Sequence, residues 1–233
     1  MYAYPGQTWS SRPQADCVSS QTNVFDMHAP ERRPVDAFDG ARQHTQQPIV
    51  TGTSVLGLTY KDGVMLATDT LASYGSLARF MNIQRLAQFG ERVVIGASGD
   101  MSDWQNIRHS LTKLMEKEEM ESDGHTLTPA QMYAYLSRTM YERRSKLDPY
   151  WNALVLGGFD TKTNAPFLGY VDLLGTTYQS STIATGFGLH LAQPMLRKAV
   201  EGRETHLTEN DARAILEECM RVLCTFKTDD LHI

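Results

Sequence analysis

The chain has 233 residues, 41% hydrophobic and 21% charged, with a formal net charge of −5. That composition belongs to an ordinary globular protein of one large domain or two small ones, and its acidic balance argues against a nucleic-acid partner, which needs a basic face. No window reaches the ~18 consecutive apolar residues of a membrane span, and the N-terminus lacks the basic-then-apolar layout of a signal peptide, so the expected setting is cytoplasmic and nuclear.

The three cysteines, Cys17, Cys219 and Cys224, form no CxxC pair. They read as buried small hydrophobes in a reducing compartment. The seven histidines are scattered without HxxxH or HExxH spacing, so no metal or other cofactor is expected. The densest charge run, 113–121, is mainly acidic and reads as a solvated helix face.

Residues 1–44 stand apart. They hold Pro5, Pro13, Pro30 and Pro34 among Ser, Gln, Arg and Asp, with few aliphatic side chains. Such a segment buries too little apolar surface to offset its ordering entropy. A disordered tail and a cleavable propeptide both fit. The folded domain is read as residues 45–233.

From Ile49 the pattern becomes strand-like. Residues 53–59 and 64–68 read as strands around a Lys61-Asp62-Gly63 turn, with Asp-Gly a strong hairpin signal. A loop is expected around Ser73-Tyr74-Gly75-Ser76, then strands at 83–89 and 92–97. Val93, Val94 and Ile95 form a β-branched block suited to a buried strand. Trp104, Ile107, Leu111, Leu114 and Met115 then recur at helical spacing, and Asp123-Gly124 is expected to close that helix.

A second helix opens with Thr128 as N-cap, Pro129 at its first position and Gln131 completing a capping box. Met132, Leu136 and Met140 make its apolar stripe, and Asp148-Pro149 ends it. Strands follow at 151–159, 167–173 and 177–184. Two helices close the chain, one over 189–200 and one from Thr208. The second has Asp211 in capping-box position and Ile215, Leu216, Cys219, Met220 and Leu223 on one face. Four strands, two helices, three strands and two helices argue for an α+β fold with antiparallel sheets.

Six segments in order resemble proteasome β subunits. They are Thr45-Gln46-Gln47-Pro48-Ile49-Val50-Thr51-Gly52-Thr53-Ser54-Val55-Leu56-Gly57, then Ser73-Tyr74-Gly75-Ser76-Leu77-Ala78-Arg79-Phe80, then Gly96-Ala97-Ser98-Gly99-Asp100. Met140-Tyr141-Glu142-Arg143-Arg144-Ser145-Lys146, Leu168-Gly169-Tyr170-Val171-Asp172 and Ala184-Thr185-Gly186-Phe187-Gly188 complete them. Within the family the likeness is to the seventh β-ring type. The resemblance implies a four-layer αββα sandwich of two antiparallel sheets, the N-terminal nucleophile hydrolase fold.

It also implies a chemistry to look for. A threonine peptidase of this family frees its threonine by cutting a Gly-Thr bond. Hydroxyl and α-amine then share one residue, and the amine, with a pKa of about 8, acts as base. Thr53 matches that nucleophile and Gly52 the residue before the cut. Asp69 matches the family's aspartate and Gly99 its oxyanion-hole glycine. Arg85 stands where the family has a lysine, and an always-charged guanidinium is no substitute for a proton-exchanging ammonium. Thr185 stands in place of an assisting serine, and Lys227 in place of a second aspartate.

Taken singly, these residues have plainer readings. Thr53 is a turn residue before a strand, and Asp69 a turn cap. Arg85 is a partner for Asp69 in a buried ion pair.

The seventh β type is a non-catalytic ring member. Its prosegment is trimmed before the threonine matching Thr45, so the cut falls between His44 and Thr45, and residues 45–52 stay ahead of Thr53. The implied role is a structural subunit of a heteroheptameric β ring, stacked on an α ring and the opposite β ring. The particle's substrates are unfolded, ubiquitin-tagged polypeptides. An active threonine endopeptidase with Thr53 as nucleophile is the alternative, and a free-standing amide hydrolase of the same nucleophile class a third. From Cys224 onward the sequence departs from the family pattern. Two closing strands are expected to be missing, leaving one sheet with an unpaired edge.

Overall fold

The computed structural model describes residues 47–121, 126–160 and 164–229. The tail 1–44, Cys17, the His44–Thr45 junction and the Asp123-Gly124 stop lie outside the described residues.

Eleven strands and four helices are described in chain order. The first seven strands are β1 (Val50–Gly52), β2 (Val55–Tyr60), β3 (Gly63–Thr68), β4 (Ala72–Tyr74), β5 (Leu77–Phe80), β6 (Leu86–Phe89) and β7 (Val93–Asp100). Helices α1 (Met101–Glu121) and α2 (Pro129–Ser145) follow. Next come β8 (Asn152–Asp160), β9 (Ala165–Val171), β10 (Thr177–Gln179) and β11 (Thr182–Ala184), then α3 (Gly188–Val200) and α4 (Glu209–Asp229).

The strands form two antiparallel sheets. The larger has eight strands in the order β10-β9-β8-β7-β1-β4-β5, with β6 also paired to β7. The smaller has three, β11-β2-β3, so β3 ends it among the described residues.

Side-chain alternation builds the layers. In β8, Leu154 and Leu156 turn toward α1 and α2, where they meet Trp104, Leu111, Met132 and Leu136. Val155, between them, turns the other way and packs with Val55, Leu168 and Ile183 at the sheet–sheet seam. In β2, Leu56 and Leu58 face α3 and α4, packing with Leu196, Leu216 and Cys219. Each central strand is thus buried on both faces, as period-2 geometry requires when helices cover both outer sides. The result is the expected α+β, αββα order.

The helix starts match their sequence signals. Thr128 Oγ1 accepts from Gln131 N–H at 3.3 Å, and Gln131 Oε1 accepts from Thr128 N–H at 2.8 Å. Thr208 and Asp211 make the equivalent box for α4, with a 2.8 Å bond between hydroxyl and carboxylate. Helix α2 stops at Ser145, before Asp148-Pro149. Leu147 takes a left-handed φ of 57°, and Asp148 N–H reaches back to Arg143 C=O at 3.1 Å. This is a Schellman closure, completed before the proline can act.

Four expectations are corrected. The loop around Ser73–Ser76 is a hairpin, β4–β5, turned at Gly75 with φ 58°. Strand 83–89 begins only at Leu86, because the chain from Met81 to Arg85 crosses from β5 to β6. Strand 177–184 is two strands in different sheets. Cys224 is exposed, whereas Cys219 is buried and its thiol is pushed up to about 11, chiefly by desolvation.

Candidate functional site

The strand-like stretch that begins at Ile49 and runs through residues 53–59 is also two strands, and this split organises the site. β1 pairs in the larger sheet with β4 on one side and β7 on the other: Gly52 lies opposite Ala72 and Gly99. β2 belongs to the smaller sheet. Thr53 and Ser54 are therefore the step by which the backbone crosses between sheets. A backbone leaving a ladder must find new hydrogen-bond partners.

Arg85 supplies them. It sits in the gap where β6 ends and β1 begins along one edge of β7. Its side chain is essentially without solvent contact, at 1% exposure. Nη1 donates to Thr53 C=O at 2.9 Å and to Ala97 C=O at 3.3 Å. Nη2 donates to Ser54 C=O at 3.1 Å and Nε to Asp69 C=O at 3.0 Å. Nη2 also pairs with the Asp69 carboxylate. A planar fork of donors can reach this many acceptors at once; a lysine cannot.

Desolvation pulls the Arg85 pKa down to about 10, which still leaves it charged at neutral pH. The carbonyl dipoles and the Asp69 carboxylate around it compensate that desolvation.

Thr53 joins the same cluster. Its hydroxyl donates to both carboxylate oxygens of Asp69, each at 3.2 Å. Thr53, Asp69 and Arg85 are thus brought together. Asp69 follows directly on β3, whose last residue Thr68 pairs with Val55. That pairing brings residue 69 beside residue 53.

Gly99 lies one ladder position away, opposite Gly52, with φ 96°. A Cβ there would stand 2.0 Å from the Trp151 carbonyl oxygen. Gly52 is also tight, though less so, since a Cβ would come within 2.5 Å of the Arg85 Cδ. Thr185 is committed to backbone. Its hydroxyl accepts from Val55 N–H at 2.9 Å, and its own N–H donates to Val55 C=O at 2.9 Å. Lys227 falls within α4, and its side chain lies outside the described part of the structure.

Two residues outside the sequence-derived set complete the frame. Ser54 Oγ accepts from Gly188 N–H at 2.8 Å, capping α3, whose own N-cap Phe187 offers no side-chain bond. Nothing in the local sequence announces this, because the partners are 134 residues apart. Asp100 caps α1 by accepting from Ser102 N–H at 3.0 Å, and its other oxygen accepts from Ile49 N–H at 3.2 Å. An aspartate directly before a helix is a readable cap signal. The tie to Ile49, which anchors the residue before β1, is not.

Comparison with known proteins follows the same lines. The family described as "Proteasome subunit" matches residues 49–231. The chain is 51% identical over 189 residues to the probable proteasome subunit beta type-7 of Schizosaccharomyces pombe, covering 81% of this chain and 72% of that one. It is 48% identical over 184 residues to proteasome subunit beta type-4 of Xenopus laevis, covering 79% and 75%. With proteasome subunit beta type-7 of Saccharomyces cerevisiae it shares 45% over 187 residues, covering 77% and 70%. Two facing antiparallel sheets with helix pairs outside, a threonine at the crossing between them, and this breadth of identity agree: the chain belongs to the proteasome β-subunit family, whose members assemble into the 20S core that degrades proteins.

Proposed function

We propose that this chain is a non-catalytic, structural β subunit of the 20S core. It occupies one place in a heteroheptameric β ring, between an α ring and the opposite β ring. There it helps to close the chamber in which other subunits cut unfolded, ubiquitin-tagged polypeptides. The proposed setting is cytoplasm and nucleus.

The observation that carries this reading is β1. A threonine peptidase needs its nucleophile at the start of the chain, because the free α-amine is the base. Residues 50–52 precede Thr53; all three pair with β4, and Thr51 and Gly52 pair with β7 as well. Removing them by a cut at Gly52–Thr53 would delete the strand that joins the β4–β5 hairpin to the rest of the sheet. The same pairing occupies the edges of β4 and β7 flanking Thr53, where an extended substrate would add as a strand. Arg85 supports the reading as well, since its donors are engaged by backbone carbonyls and Asp69.

One observation favours the alternative, an active threonine endopeptidase: the Thr53 hydroxyl already points at a carboxylate. The deciding experiment is terminal-peptide and intact-mass spectrometry of this subunit in the assembled particle. A start upstream of Gly52, expected at Thr45, supports a structural subunit. A start at Thr53 overturns it and makes Arg85 a working replacement for lysine.

A further inference from the structure

Residues 146–151 link α2 to β8, and polar contacts hold that link onto the start of α1. Trp151 is gripped at both ends of its backbone. Its N–H donates to the Asp103 carboxylate at 2.9 Å, and its C=O accepts from Asp100 N–H at 2.9 Å. Tyr150 is pinned from two sides. The Asn106 amide donates to its hydroxyl at 3.0 Å, and the Arg143 guanidinium lies 4.4 Å from its ring centre. Asp148 pairs with Arg143 at 2.7 Å. Asn152 follows, and its Nδ2 donates to the Ser98 and Asp100 carbonyls at 3.1 and 2.8 Å. The link is a strap laid over the end of β7 and the first turn of α1.

Negative charge is in excess under this strap. Asp100, Asp103 and Asp148 lie around the Arg143 guanidinium, and Asp148 takes it directly. Asp100 is buried and already engaged: one oxygen accepts from Ser102 and Asp103 N–H, the other from Ile49 N–H. Asp103 is half-buried beside both other carboxylates. Desolvation first, then repulsion from Asp100 and Asp148, holds its carboxyl above the usual range, against the opposing pull of the Trp151 N–H and Arg143. A neutral side chain with an oxygen in the same place would hold the Trp151 N–H without that penalty. The carboxylate therefore weakens the strap when charged, and segments that open locally are drawn from the weakly held parts of a fold.

We infer that the 146–151 link is a proton-controlled strap: Asp103 loosens it when charged and lets it close when protonated, and Asp100 carries the change to Ile49 at the entry to β1. In the open strap Asp103 is solvated and ionises near about 4. In the closed strap it keeps its proton to higher pH. Proton binding therefore favours closure. The extra hold is complete below the open-state value and is lost as pH rises through the closed-state value. Opening at Trp151 also removes the acceptor of the Asp100 N–H, and the Asp100 carboxylate is what anchors Ile49.

The test is amide hydrogen exchange on the full chain, compared at roughly pH 4 and roughly pH 7.5 and corrected for the intrinsic pH dependence of exchange. In the wild type, opening at Trp151 and Asn152 should be rarer at the acid pH by about threefold or more, while amides of α3 keep their protection. Asp103→Asn removes the charge and keeps an oxygen for the Trp151 N–H. Its strap should be as closed at neutral pH as the wild-type strap is in acid, with no pH dependence. The Ile49 amide should follow Trp151 in both proteins. Equal opening of the wild-type strap at the two pH values overturns the inference, as does a change shared by α3, which would be global. So does an Asp103→Asn strap that keeps the pH dependence or opens more often at neutral pH. An Ile49 amide that ignores both changes overturns the coupling through Asp100. If the variant does not fold, the wild-type comparison decides by itself.

Discussion

Gly52 and Gly99 face each other across the β1–β7 ladder. Neither position accepts a side chain: a Cβ on Gly52 would strike Arg85, and one on Gly99 would strike the Trp151 carbonyl. The two glycines let two backbones and one buried guanidinium share a narrow space. The residue before Thr53 is thereby part of the sheet.

Gly99→Ala tests that packing. A methyl 2.0 Å from a backbone oxygen cannot be accommodated by a rotamer change, and the φ of 96° is unfavourable for alanine as well. The cost should exceed about 4 kcal/mol, enough to remove most of a domain's stability. Soluble yield and a denaturant melt of the variant check this. A fold as stable as wild type would mean that β8 can move away from Gly99.

Arg85→Met probes the crossing between the sheets. It strips donors from the carbonyls of Thr53, Ser54 and Asp69 and takes the guanidinium away from the Asp69 carboxylate, which keeps the Thr53 hydroxyl. Breaking a buried pair in this way costs about 3–5 kcal/mol. Arg85→Lys should recover only part of that, since one ammonium cannot span the same acceptors. Urea midpoints of the three proteins should rank arginine, lysine, methionine.

Ser54→Ala removes the α3 cap. The Gly188 N–H loses its shorter bond and keeps the Thr185 C=O at 3.1 Å, so the expected loss is about 0.5–1 kcal/mol. Hydrogen exchange gives a local readout. Amides in the first turn of α3 should exchange faster while those of α2 do not change.

Thr53→Ala separates structure from catalysis. The variant loses the bond to Asp69, a change of about 1 kcal/mol in subunit stability. Every peptidase specificity of the assembled particle should survive. Selective loss of one specificity, measured with fluorogenic peptides, would falsify the structural reading.

Alkaline pH offers a last test. Burial, helped by Asp172 and Tyr178, pushes the Tyr170 phenol up to about 12. In the unfolded chain it ionises near about 10. Between those values the unfolded state holds fewer protons than the folded state, so stability falls as pH rises. The urea midpoint should drop between about pH 10 and 12, and less steeply in Tyr170→Phe. Equal slopes would show that Tyr170 does not carry the effect.

Much of this molecule is written locally. Both capping boxes, the apolar stripes of α1, α2 and α4, and the hydrophobic runs of β2, β7 and β8 follow from periodicity and cap chemistry. Those signals arise within a few residues of where they act. Ordered along the chain, the family-like segments also specify the αββα fold and single out Thr53, Asp69 and Arg85 by their positions in the sequence alone.

What the sequence leaves open is which partner each strand takes. The stretch from Ile49 to residue 59 and the run 177–184 show no break, because β propensity is blind to sheet membership. Each is nonetheless divided between the two sheets at a crossing. The Arg85 hydrogen bonds, the Ser54 cap on α3 and the Asp100 tie to Ile49 all join residues far apart in the chain. They exist because a backbone that leaves one ladder must satisfy its carbonyls and amides elsewhere. Only the tertiary structure decides that Arg85 meets that demand, and that the residues ahead of Thr53 form a paired strand.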